Sequence, residues 1–202
     1  MPLNAHLPVL DFWFGDGLQR SWPSDDRSKL WWGGGPALDQ TIESQFGALV
    51  HSAVAGGLHD WESEPMRRLA LIILLDQFTR NVFRGQPQAF SGDARAQKLV
   101  RQWLDLNLDH DLPPVARAFT YMPLMHAENL VHQNECVRRF TRLQSDAPGD
   151  IKHHIDSHLK SAQEHRDIIA TFGRFPHRNQ VLGRAPTEAE TAFLTNGPRF
   201  GQ

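Results

Sequence analysis

The rhythm of apolar and polar positions changes most sharply in one stretch, Leu69–Arg84, LALIILLDQFTRNVFR. It opens with consecutive apolar residues from Leu69 to Leu75 and then turns polar at Asp76, Gln77, Arg80, Asn81 and Arg84. A helix that is apolar all the way round has neighbours on every side. The pattern therefore predicts a central helix that begins in the middle of the core and carries its polar end to where the core meets water or a ligand. On such a helix Gln77, Asn81 and Arg84 share one face, and Asp76 can pair with Arg80.

The rest of the chain reads as helices between Gly/Pro breaks. Pro8–Phe14 starts with proline, a favoured first-turn residue, and meets Gly15 and Gly17. Trp31-Trp32 runs into Gly33-Gly34-Gly35-Pro36, a loop without the flanking strand or Gly-Lys-Ser/Thr of a phosphate loop. Leu38, Ile42, Phe46, Leu49, Val50, Ala53 and Val54 have helical spacing and stop at Gly56-Gly57. Glu64-Pro65 starts the central helix and Gly85 ends it. Ser91 or Asp93 is placed to cap a helix with Ala96, Leu99, Val100, Trp103 and Leu104 inward. Val115–Phe140 contains Pro123, which cannot bond to the Phe119 carbonyl, so this segment must kink or split. Ile151 to Phe172 forms a last long helix ended by Gly173, and Thr187 with Glu190 is a capping box for a terminal one.

No segment alternates with period two. The expected fold is all-α, with antiparallel helical hairpins arranged as a bundle or a short solenoid, in one unit over residues 1–202.

Composition narrows the function classes. The formal charge of −2 supplies no general basic field for nucleic acid. Lys29, Lys98, Lys152 and Lys160 are the only lysines among 21 basic residues. The remainder are arginines, suited to bidentate pairing with carboxylate or phosphate. Cys136 is the only cysteine, which excludes an intrachain disulfide and argues against a cysteine-based zinc site. The start of the chain lacks the pattern of a secretory signal, and no apolar run approaches a membrane span, so a cytoplasmic protein is expected. No haem, flavin or nucleotide motif is present, and no cofactor is expected. Oligomeric state is not set by these features.

Polar residues gather in four places. The first is the end of the central helix. The second is Tyr121–Asn129, where Met122, His126, Asn129 and Gln133 fall on one helical face and Glu128 and His132 on another. His126 and His132 are six apart, so their rings diverge and a zinc helix is not expected. The third, His153, His154 and His158 among Lys152, Asp156 and Lys160, reads as a solvated face. The fourth is His165-Arg166-Asp167 followed by Gly173–Asn179 and Arg184, where a tight turn presents His177, Arg178 and Asn179. Its arginines and imidazoles would make an anion trap, or would equally tie down the C-terminal segment.

LALIILLDQFTRNVFRG, YMPLMHAENL, HRDIIATFGRFPHRNQVLGR and the opening VLDFWFG together resemble the bacterial family catalogued as domain of unknown function 924, over roughly Val9 to Leu194. That resemblance implies a tetratricopeptide-like helical fold and carries no established reaction. Its shared wording falls on polar residues as well as on the core. The candidate ligand-binding set is Gln77, Arg80, Asn81, Arg84, His126, Glu128, His165, Arg166, Arg174, His177, Arg178 and Asn179. The expected ligand is an anionic small molecule or a peptide carboxylate in a helical groove, with no metal. The alternative is an enzyme with His126 or His165 as acid/base beside Glu128 or Asp167, and arginines stabilising developing negative charge.

Overall fold

Seven residues in a row with no solvent exposure, Leu69 to Leu75, form the axis of the fold. The computed structural model describes residues 4–197; the two ends of the expected 1–202 unit lie outside the described residues. Among these residues the regular structure is entirely helical, with no strand. The main helices are α1 (Leu7–Phe14), α2 (Gly17–Arg20), α3 (Pro36–Val54), α4 (Pro65–Ile73), α5 (Thr79–Val82), α6 (Asp93–Asp105), α7 (Pro114–Met125), α8 (Leu130–Asp146), α9 (Lys152–Phe172) and α10 (Glu188–Asn196). Among the described residues no helix is long and apolar enough to cross a membrane.

The central helix starts as expected. Pro65 occupies the first turn and the Glu64 carboxylate accepts from the Met66 and Arg67 amides. It is not uniformly α-helical, however. Between α4 and α5 lies a π-helical turn, Leu74–Phe78, whose wider i→i+5 bonding accommodates one extra residue. Asp76 and Gln77 sit in that turn and are both buried.

Pro123 acts as anticipated. α7 ends two residues later at Met125, and α8 restarts at Leu130 after His126–Asn129. Asn129 is the cap of α8, its Oδ1 accepting from Val131 and His132 at 2.9 and 3.1 Å. Buried Gln133 donates to the Met125 and Ala127 carbonyls, satisfying the broken end of α7. The shared helical face expected for His126, Asn129 and Gln133 is thereby dissolved.

The last three long helices run antiparallel. Tyr121 of α7 meets Phe140 of α8, and Arg117 reaches Asp146. Gln144 of α8 donates to Asp156 of α9, while Phe140 stacks on His158 at 5.6 Å. The core runs from Val9 on α1 to Ala162 on α9, with Trp13, Phe14, Phe78, Phe119 and Phe140 in contact across it. A satellite of Ile168, Ile169 and Phe175 lies under the C-terminal segment. Gly173, in the left-handed region at φ 69°, ends α9, and Thr187 with Glu190 forms the expected capping box of α10.

Two local expectations change. Neither Ser91 nor Asp93 caps α6: Gly92 holds the cap position, and Asp93 turns to an arginine of the central helix. The solvated His153–His158 face is also corrected. His158 is buried against Phe140, and His154 stacks on Trp22 at 4.7 Å, because α9 places these two rings toward the aromatic core.

Candidate functional site

Asp76 is a carboxylate with 1% of its surface exposed, so it needs partners. The π turn aims it at three. Gln77 donates to its Oδ2, the Arg80 guanidinium lies 3.6 Å from its Oδ1, and His126 Nδ1 lies 2.8 Å from that same oxygen. Burial pushes the Asp76 carboxyl upward, but His126 and Arg80 outweigh it and hold the group below the usual carboxylate range. The break after Pro123 supplies the other half of this contact. His126 terminates α7 and brings its ring against the π turn.

Around this pair lies a cavity of about 920 Å³. One end is polar, lined by Gln77, Arg80, Asn81, Arg84, His126, His165, His177 and Arg178. The other is aromatic, lined by Trp22, Trp31, Trp32, His154 and His158, with Trp13, Met122 and Met125 also in the wall.

Arg80 and Arg178 share one carboxylate unequally. Arg80 grips Asp93 with two bonds, 3.0 and 3.2 Å, and also donates to the Asp76 carbonyl. Arg178 reaches Asp93 only at 3.4 Å, and its Nε has no hydrogen-bond partner among the described residues. Its guanidinium rests 4.6 Å from the rings of Phe90 and Phe175, and the residue is 6% exposed. Burial, with Arg80 nearby, lowers its pKa to about 10, so it remains charged at neutral pH. Two imidazoles face it. His165 is held neutral, with its pKa lowered to about 3 by burial and then by His126; it lies 2.7 Å from the Ser161 carbonyl. His177 is likewise lowered to about 3 by burial and by Arg178.

The remaining candidates divide by what they touch. Asn81 and Arg84 line the cavity but are held by Asp39, at 2.8 Å and through bonds of 2.7 and 2.9 Å. Glu128 is turned away from the cavity. It accepts from Arg184 at 2.6 and 2.9 Å and from the Phe175 amide. Arg174 pairs with Glu190, Arg166 with its neighbour Asp167, and Asn179 accepts from Arg184. Glu128, Arg174 and Asn179 tie down the C-terminal segment, Arg166 pairs within α9, and none of the four is part of the cavity lining.

The acid/base pairing expected from sequence changes accordingly. Glu128 and Asp167 are engaged by Arg184 and Arg166, and the carboxylate within reach of His126 is Asp76, fifty positions earlier. The reason is local: the chain leaves the helix at His126, so a residue two positions on no longer shares its environment. Asp93, Phe90 and the tryptophan wall were also missed. Only the Trp31-Trp32 pair beside three glycines carried a readable signal, an aromatic cluster where the chain cannot be regular.

A family described as a bacterial protein of unknown function, DUF924, matches residues 9–198. The chain belongs to this family. The match spans the central helix, the π turn and every residue of the cavity named above. The chain is also similar to the solved structure of a protein of unknown function from Agrobacterium tumefaciens, with a TM-score of 0.75 and 30% identity over 95% of this chain and 97% of that one. No curated protein matches it significantly.

Proposed function

We propose that the cavity binds a small anionic molecule whose acid group is held by Arg178, Arg80 and His126. The observation that carries this reading is Arg178: a buried, charged guanidinium at the cavity whose single ion pair among the described residues, at 3.4 Å, is to a carboxylate already gripped by Arg80. A buried cation with incomplete partners is stabilised by an incoming anion, and a planar guanidinium takes carboxylate or phosphate bidentately. Gln77 adds an amide at the same end. The test is a thermal-shift and calorimetric titration with inorganic phosphate and acetate. Wild-type protein gains stability in their presence, and Arg178→Gln loses that gain. Absence of any gain in the wild type would sink the reading.

A second reading rests on the Asp76–His126 contact at 2.8 Å. A carboxylate on Nδ1 fixes one ring nitrogen and leaves Nε2 as a general acid or base for a bound anion, with Arg80 and Arg178 as stabilisers of developing charge. Its test is turnover of pooled carboxylate and phosphate metabolites followed by mass spectrometry. Turnover that persists in His126→Gln would exclude this role.

A further inference from the structure

The acid group alone leaves most of the cavity unexplained. A volume of about 920 Å³ is that of a drug-sized ligand site, and an acetate or phosphate at Arg178 fills a small part of it. The remaining space ends at three tryptophans. Trp22 and Trp31 meet edge to face, 5.8 Å apart at 90°, and Trp31 and Trp32 stand 6.2 Å apart at 68°. Trp31 is fixed by its indole N–H, which donates to the Trp13 carbonyl at 3.0 Å. Trp22 is fixed by stacking on His154 at an interplanar angle of 9°. Trp32 is different: it stacks on Phe119 at an interplanar angle of 10° and meets His158 edge on, yet lines the same cavity with 54% of its surface exposed. Beside two immobilised rings, the exposed part of Trp32 leaves ring surface available to a flat guest, and edge-to-face or offset stacking is the geometry in which aromatic pairs interact best.

We propose that the ligand is an aromatic acid: a planar ring held by Trp22, Trp31 and Trp32, joined to the carboxylate or phosphate held by Arg178 and His126. This rests on the anion-binding reading above and names its substrate class. Asp25 and Asp26 also line the aromatic end, so an organic cation is the competing guest.

The experiment is isothermal titration of the full chain with two matched pairs of probes, phenylphosphate against inorganic phosphate and phenylacetate against acetate, and with tetramethylammonium. The expected result is that at least one aryl probe binds about tenfold or more tighter than its partner, with quenching of tryptophan fluorescence. Trp32→Ala, a change at an exposed side chain, narrows that gap to less than about threefold. Equal affinity within both pairs overturns the aromatic proposal and leaves the anion reading standing. So does an aryl advantage that Trp32→Ala leaves intact. Tetramethylammonium binding tighter than either aryl acid overturns it in favour of a cation cage. Failure of all four anions to bind overturns both readings together.

Discussion

At the scale of single residues, the polar end of the cavity is a balanced set of charges. Asp76 and Asp93 oppose Arg80 and Arg178, and the His126 ring lies against Asp76 at 2.8 Å. His165 and His177 stay neutral beside them. The buried imidazoles also bear on stability. His158 is lowered to about 4, first by burial and then by His154, while in the unfolded chain it titrates near 6.5. The unfolded state then holds more protons between those values, so stability is complete above about 6.5 and falls as pH drops toward 4. The slope is about 1.4 kcal/mol per pH unit for each such histidine. His158→Phe, which keeps a flat ring against Phe140, should reduce the loss seen in denaturant titrations across that range.

At the scale of elements, the site depends on how closely α6 approaches the π turn. A Cβ on Gly92 would stand within 2.2 Å of the Leu75 carbonyl oxygen, so a side chain there forces backbone atoms apart. The next residue, Asp93, delivers its carboxylate to Arg80 and Arg178 only because that approach is possible. Gly92→Ala should destabilise the protein by about 1–3 kcal/mol, the usual cost of overpacking. It should also tighten phosphate binding, since Asp93 would withdraw from both arginines and leave their charge to the incoming anion. Chemical denaturation and calorimetry on one variant would separate the two effects. The π turn itself was not readable from the sequence. Its hydrogen-bond shift needs only one extra residue in the turn, and LALIILLDQF has the composition of an ordinary buried helix.

At the scale of the whole molecule, the C-terminal segment is a strap across the site. Glu128, in the break between α7 and α8, holds it through Arg184 and the Phe175 amide, and Arg174 anchors α10 through Glu190. The strap carries His177 and Arg178 to the cavity. Glu128→Ala should cost about 2 kcal/mol, as expected when charge-assisted hydrogen bonds are lost from a half-buried position. Faster amide exchange should follow, confined to residues after Gly173. Exchange that accelerates uniformly, or not at all, would show that the strap is held elsewhere. The competing sequence reading of these residues, anion trap or fastener, is thus divided between them. Arg178 and His177 reach the cavity, while Arg174, Arg184 and Asn179 fasten the segment.

Hydrophobic periodicity and breaker residues alone determined the all-helical class, the buried Leu69–Leu75 axis, the split after Pro123, the stop at Gly173 and the capping box at Thr187. These are short-range properties, set by side-chain spacing and backbone freedom within a few residues. Tertiary structure decided which carboxylate meets His126, which arginine is left under-paired and which tryptophans share a cavity with them. Asp76 with His126, and Arg178 with Asp93, are 50 and 85 positions apart. Long charged side chains pair with whatever packing brings near, and several carboxylates stood at plausible spacings. Only the π turn and the chain break at His126 settled the choice.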